Sequence, residues 1–357
     1  MSRTLLKLGI LGASSLTFTL MVADANAQDK IRWKMQSAFA SALPHLGPPA
    51  VRFTKDIEVM SAGTFEIKFY EPGALIPPLE CFDAVSKGSI ESCWTTPGYH
   101  TGKYPVLSFF TTVPFGPGLG EFLAWKWHGG GNPMRDEIYA KHGLKAIESN
   151  CIGPETSGWF RKEIKGVEEM KGIKMRFFGL GAQVMNKMGV STQLLAAADI
   201  YQALERGVID ATEFSMPTMD IQLGFHQIAK YNYFPGWHQQ VSCGEVLMNA
   251  KAFDALPEQY KRMLEVAGRS QLIYNYADTE ASQFRAMQEM QSKHGVQIRR
   301  WTDKDLAAYE KAWFEVLAEE SAKDPLFKKV ADHYLDFRKK YAIWGDSQAM
   351  KPTYLDK

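Results

Sequence analysis

Neither sign of charge is in excess in this chain. It has 41 Lys and Arg against 40 Asp and Glu, and no basic tract. Nucleic acid and anionic membrane surfaces are therefore excluded as principal partners. Cysteine is scarce: Cys81, Cys93, Cys151 and Cys243 are the four, and none stands in a C-x-x-C spacing. A zinc or redox motif is not indicated. The wide spacing reads as buried apolar cysteine, because a globule of this size does not need a disulfide framework. The eight histidines show no H-x-x-x-H spacing, so each reads as a surface or hydrogen-bonded core residue. Past the N-terminus no apolar run is long enough to cross a bilayer. Internal repeats and low-complexity segments are also missing.

Residues 1–27 have the character of a secretory leader. Arg3 and Lys7 supply a positive start, Leu8 to Val22 a mostly apolar stretch, and Ala25-Asn26-Ala27 a small-residue cleavage site. Ser14, Ser15 and Thr17 interrupt the apolar stretch, which argues against a membrane anchor. The expected mature chain starts at Gln28 and is secreted. The leader takes Arg3, Lys7 and Asp24 with it and leaves 39 residues of each sign. That mature length suits two domains of ordinary size.

Hydrophobic periodicity alternates between the strand and helix types. Ile31, Trp33 and Met35 alternate with polar residues, as do Phe65, Ile67 and Phe69. Between them Ala50, Phe53, Ile57 and Met60 recur at helical spacing, and Gly63 ends the helix. Leu79 to Lys87 reads as a short helix stopped at Gly88. Further on, Ile173 to Phe177 reads as a strand and Gln183 to Met188 as a helix stopped at Gly189. Asp199 is expected to cap a helix closed by Gly207, with a strand over 208–211. Such alternation implies α/β sheets. From Pro257 to about His294 there is no proline, and Gly268 is the one interior glycine that tests helix continuity. That predicts a helix long enough to span two domains. A strand over 297–301 follows, then a helix capped by Thr302 or Asp303, then an amphipathic helix from Leu326 to Tyr341. The tail after Gly345 is weakly patterned.

Two motifs resemble catalytic or cofactor signatures and fail. His128-Gly129-Gly130-Gly131 looks like an oxyanion loop, but no G-x-S-x-G elbow accompanies it. Gly179-Leu180-Gly181-Ala182-Gln183-Val184 looks like a dinucleotide fingerprint lacking its third glycine, and Arg176 sits in the strand before it. The stretch from Lys174 to Val184 has a different value. It ends a strand on an arginine and opens a helix through glycines, which places a cation beside free backbone N–H groups. That suits a carboxylate. Phe177 and Phe178 give Arg176 an apolar setting, where an arginine needs an anionic partner. Glu213 follows an apolar strand and precedes Phe214, so it reads as buried against a cation. The simplest alternative is an ion pair between Arg176 and Glu213. Tyr231 to Trp237 supplies aromatic walls.

The chain resembles the solute-binding proteins of tripartite ATP-independent periplasmic (TRAP) transporters, the DctP family. Within it the likeness is to the branch that binds 2-oxo and 2-hydroxy monocarboxylates. The matching blocks are Phe69 to Gly73, Cys81 to Ser86, Phe109 to Phe115, Trp127 to Gly131, Gly158 to Phe160, Lys174 to Arg176, Asp210 to Glu213, Leu223 to Phe225 and Phe234 to Trp237. This resemblance implies a class II periplasmic-binding-protein fold: two α/β lobes around a ligand cleft, with a long connecting helix. The implied boundaries are 28–152 plus about 240–256 for the first lobe and 153–239 plus about 295–325 for the second. The helix 257–294 spans both, and 326–357 forms a C-terminal helix and tail. The implied partners are a small carboxylate and the membrane permease subunits, and the implied assembly is a monomer or homodimer.

Carried over by position, Arg176 clamps the ligand carboxylate and Tyr99 contacts the ligand. Glu213 and the carbonyl of Phe214 hold a metal, Ca2+ or Na+, that bridges the ligand. Phe214 and Trp237 are expected to wall the cleft. Two positions depart from the branch. Glu155 stands where glutamine is usual, and Phe214 stands where tryptophan is usual. The second exchange removes an indole N–H and some volume, which points to a bulkier or less polar acid. The first adds a carboxylate beside Glu213, which argues for a divalent ion and makes Glu155 both a metal ligand and a ligand-contacting residue. A receptor is the expected function. An extracytoplasmic hydrolase using Glu155 and Glu213 as an acid/base pair is the alternative from another class.

Overall fold

In the computed structural model, residues 30–348 are described. The expected leader lies outside them. The alternating segments at the start do form neighbouring strands. Five strands make the first sheet: β1 (Ile31–Ser37), β2 (Phe65–Tyr70), β3 (Ser92–Thr95), β4 (Leu144–Ile152) and β10 (Ser242–Asn249), in the order β2-β1-β3-β10-β4. β1 runs parallel to β2 and β3, while β10 runs antiparallel to β3 and β4. Six strands make the second: β5 (Gly158–Phe160), β6 (Lys174–Arg176), β7 (Ser191–Gln193), β8 (Ala211–Thr212), β9 (Tyr231–Phe234) and β11 (Gln297–Arg300), in the order β11-β9-β5-β8-β6-β7. There β5 is the antiparallel strand.

Helices accompany both sheets. With the first sheet go α1 (Pro48–Met60), α2 (Cys81–Ser86), α3 (Leu119–Trp127) and α4 (Gly131–Ala140). With the second go α5 (Gly179–Lys187), α6 (Ala197–Glu205), α7 (Pro217–Gln222) and α8 (Phe225–Ile228). The chain then runs through α9 (Ala250–Asp254), α10 (Glu258–Ser292), α11 (Asp303–Lys323) and α12 (Pro325–Gln348). It crosses between the sheets three times: after β4, after β9 and through α10. This is the mixed α/β, two-lobed periplasmic-binding architecture.

α10 is the long helix expected, 35 residues or about 52 Å. Gly268 does not break it. A Cβ there would lie 2.6 Å from the Glu148 carbonyl oxygen, so the glycine lets the helix lie directly on β4. Farther along, Asn275 Nδ2 donates to the Cys151 carbonyl and Thr279 Oγ1 accepts from Gly153 N. Gln283 Oε1 accepts from Thr218 N of α7. The helix therefore holds the first crossing and an element of the second sheet at once.

Several local expectations shift. Asp199 does not cap α6; Ala196 is its N-cap and Asp199 lies in the first turn, where its charge suits the helix dipole. α5 opens at Gly179, before Gln183. β8 is only two residues long. α12 continues past Gly345 to Gln348. Thr302 caps α11 in a capping box with Asp305. The cysteines are the main correction. They are buried as expected, but Cys81 bonds Cys93 and Cys151 bonds Cys243. The second pair follows from register, because Cys243 faces Cys151 across β10 and β4. No described helix is long and apolar enough to cross a membrane.

Candidate functional site

The parallel strands of both sheets point their carboxyl ends at the junction. In open α/β sheets that is where ligands bind. β3 delivers Thr96 and Tyr99, β4 delivers Asn150, Ile152 and Glu155, and β6 and β8 deliver Arg176 and Phe214. β10, running the other way, presents Ser242 and Gly244 at its start. These residues, with Phe39, Leu46, Phe178, Ser215 and Gln239, line one cavity. Six of the fourteen are aromatic or aliphatic, and seven carry polar or charged side chains, Arg176 and Glu155 being the charged pair. The ring of Phe178, from the second sheet, lies over Gly98 of the first, at the one spot where any side chain would collide with it. Tyr99 is wedged between Phe39 and Phe178, with ring centroids 5.6 Å and 5.8 Å away. Burial pushes its hydroxyl pKa up to about 12, so Tyr99 stays a hydrogen-bonding phenol.

Arg176 and Glu213 do form the ion pair that the sequence left open. Arg176 Nη1 donates to Glu213 Oε2 at 2.9 Å and to the Glu213 carbonyl at 2.6 Å, while Nε reaches the Leu195 carbonyl at 3.4 Å. Among the described residues, Nη2 has no hydrogen-bond partner. The guanidinium lies over the Phe214 ring, 5.1 Å from its centroid. The Phe178 amide, expected to be free for an anion, donates to Glu213 Oε2 instead. The fold thus uses one protein carboxylate to orient the arginine before any ligand arrives.

Glu155 is buried, and its Oε1 accepts from Ser215 Oγ at 3.0 Å. Its other oxygen, Oε2, and Glu213 Oε1 have no partner among the described residues. Burial, with Glu213 repelling, holds the Glu155 pKa well above the usual carboxylate range. For Glu213 burial is the largest single effect and pushes upward, but Arg176 and His238 together outweigh it and keep the pKa below that range.

Sequence reading missed His238. It lies fully buried beside both carboxylates, Nε2 being 3.5 Å from Glu213 Oε1 and 3.7 Å from Glu155 Oε2. Burial alone would lower its pKa, yet the two acids raise it to about 9. The three side chains can offer one ligand atom each within 4.8 Å of one another. Orphaned carboxylate oxygens in a buried donor set fit a cation. Trp237, by contrast, is not among the cavity-lining residues. It stacks on Tyr309 at 4.5 Å and packs against Phe115 and Phe177, so it anchors the loop that carries His238 and Gln239.

Two sheets joined by three crossings, with a buried arginine and carboxylates at their facing ends, define a two-lobed solute receptor. The chain belongs to the bacterial extracellular solute-binding protein family 7, whose pattern matches residues 37–324, and is a TRAP extracytoplasmic receptor. It is 34% identical over 316 residues to a monocarboxylate 2-oxoacid-binding periplasmic protein of Nostoc sp., covering 88% of this chain and 86% of that one. A TRAP solute-binding protein of Bordetella bronchiseptica superposes with a TM-score of 0.87 at 31% identity, covering 90% of this chain and 95% of the other; it carries co-purified calcium and picolinate. One from Pseudoalteromonas atlantica, with bound sodium and pyruvate, gives 0.86 at 31% identity and covers 90% and 97%.

Proposed function

We propose that this receptor binds a 2-oxo monocarboxylate, or its 2-hydroxy counterpart, between the lobes and delivers it to a TRAP membrane permease without transforming it. The observation that carries the reading is that Arg176 and Glu155 line one cavity, with Glu155 Oε2 and Glu213 Oε1 both left without a partner among the described residues. An acid there gives its carboxylate to Nη2 and its 2-oxygen to Tyr99 or to a cation held by Glu155, Glu213 and the Phe214 carbonyl. That cation, when bound, supplies the positive charge that two buried carboxylates and an incoming anion require. The protein's own residues do the rest. Glu213 orients the arginine, Ser215 orients Glu155, and Phe178 and Phe214 exclude water.

The cavity measures about 40 Å³, room for about three waters. That volume supports a small acid over the bulkier one that Phe214 invites. Calcium and sodium beside pyruvate or picolinate in similar receptors support a bridging cation. The reading includes the lobe boundaries 28–152 plus about 240–256 and 153–239 plus about 295–325, and a periplasmic address through residues 1–27. Mass spectrometry of the small molecule released from freshly purified protein tests it. A 2-oxo or 2-hydroxy monocarboxylate is expected; an amine or a dicarboxylate would overturn the assignment.

A further inference from the structure

Two successive residues of the loop between β1 and α1 line different cavities. Leu46 lines the ligand cavity, as does Phe39 near the start of the loop. His45 lines a separate cavity of about 370 Å³ where the loop meets α7 and α10. The residue at the change has φ +60°, a conformation that histidine adopts more readily than most side chains. Gly47 then passes so near the start of the loop that a Cβ would lie 2.0 Å from the Ala40 carbonyl oxygen.

His45 is only 6% exposed, and both ring nitrogens are engaged. Nδ1 lies 2.9 Å from Asp278 Oδ2 of α10, while Nε2 lies 3.0 Å from Thr218 Oγ1 of α7 and 3.2 Å from Ser282 Oγ of α10. A carboxylate only accepts, so Nδ1 carries the proton and donates to Asp278, and Nε2 is the acceptor. Burial lowers the pKa of the ring more than Asp278 raises it, which keeps that acceptor in place. The Ser282 hydroxyl donates to the Asp278 carbonyl at 2.7 Å. Ser282, His45 and Asp278 therefore have the order of a hydrolytic triad without its free serine proton. The Thr218 hydroxyl is left to donate to Nε2, at a shorter distance than the 3.3 Å to its alternative, Gln283 Oε1.

α7 carries a second tie to the same loop, because Gln222 Nε2 donates to the Ala42 carbonyl at 2.9 Å. Thr218 and Gln222 stand four residues apart and share one face of the helix. α7 begins at Pro217, just after Ser215, which lines the ligand cavity and holds Glu155. The loop of the first lobe and α7 of the second thus both lead from the cavity wall, and they are tied together through residues that do not line it.

We propose that His45 is a positioning residue for the ligand cavity. Through Thr218 it fixes the loop that carries Phe39 and Leu46 against the second lobe, and so sets how closely the cavity fits a small acid. The inference rests on the receptor reading for the nature of that acid.

A double-mutant cycle tests it. His45→Asn tolerates the positive φ and leaves an amide near the Nδ1 position, but it does not reach Thr218. Thr218→Val removes the hydroxyl, and His45→Gln returns an acceptor near the Nε2 position. Calorimetry of the calcium-loaded mature protein with pyruvate is expected to show about three- to tenfold weaker binding in His45→Asn and in Thr218→Val. The double variant should be no weaker than either single one, and His45→Gln should stay close to the wild type. The preference for pyruvate over 3-methyl-2-oxobutanoate should fall by a similar factor in both single variants, which a loss of stability alone does not produce. Thermal melts establish that each variant is folded, and Thr218→Val keeps the test decisive if His45→Asn does not fold. Additive effects, native affinity in folded Thr218→Val, or an unaltered preference overturns the proposal and leaves the receptor standing. Wild-type protein that binds no 2-oxo monocarboxylate removes the receptor reading and this inference with it.

Discussion

Replacing Arg176 by lysine keeps a positive charge in the cavity but removes the fork. In the native protein Nη1 is taken by the Glu213 carboxylate and carbonyl, and Nη2 is the arm left over. Lysine has a single nitrogen, and Glu213 claims it first. A ligand carboxylate then loses its charge-assisted contact with a buried cation. Loss of such a contact costs about 2–5 kcal/mol, a fall in affinity of about 30- to 5,000-fold. Arg176→Ala is a poorer probe, because it strands Glu213 in the interior and adds about 3–5 kcal/mol of lost stability. Calorimetry with pyruvate reads the affinity, and a thermal melt establishes that Arg176→Lys is folded. Near-native pyruvate affinity in folded Arg176→Lys would refute the clamp.

Three other outcomes follow from the structure. Glu245 lies buried with Tyr139, Arg135, Lys126 and Glu148, and burial pushes its pKa to about 7. A carboxyl raised above its unfolded value stabilises fully below about pH 4.5 and loses that contribution as pH rises through about 7, up to about 3 kcal/mol. Glu245→Gln should therefore flatten chemical-denaturation stability between those pH values, and an unchanged slope contradicts the assignment. Cys151–Cys243 closes a span of 92 residues, so Cys151→Ser with Cys243→Ser should lose up to about 4–5 kcal/mol in urea unfolding. Saturating ligand at about 100 times its Kd should add about 2.7 kcal/mol and compact the protein in small-angle scattering; superimposable curves would remove the hinge.

Much of the scaffold was legible because it is local. Thr302 with Asp305, the glycine stops at Gly63, Gly88, Gly189 and Gly207, and the unbroken run from Pro257 are short-range signals of capping and periodicity. Arg176 and Glu213 were legible because each ends a strand beside aromatic residues. The disulfides were not, since strand register alone brings Cys243 opposite Cys151. His238 was hidden for the same reason. Its neighbours Glu155 and Glu213 arrive from other strands, and no local spacing announces a cluster built from two crossings and one further strand end. Trp237 misled in the opposite direction: an aromatic beside a site reads as a wall, and here it stacks on Tyr309 and supports the loop. Asp199 shows a smaller failure, because an acid in the first turn and an acid at the cap carry the same sequence signal.

Calorimetric titration of chelator-treated protein, reloaded with a single cation, reads the preference of the cavity for a 2-oxo monocarboxylate. Pyruvate, succinate and alanine serve as the three probes. A saturable site for pyruvate at about one per chain is predicted, with succinate much weaker because its second carboxylate meets Phe39, Leu46, Ile152 and Glu155. Alanine should not compete. No heat with pyruvate under any cation, together with tight binding of succinate or alanine, would contradict a receptor for 2-oxo monocarboxylates.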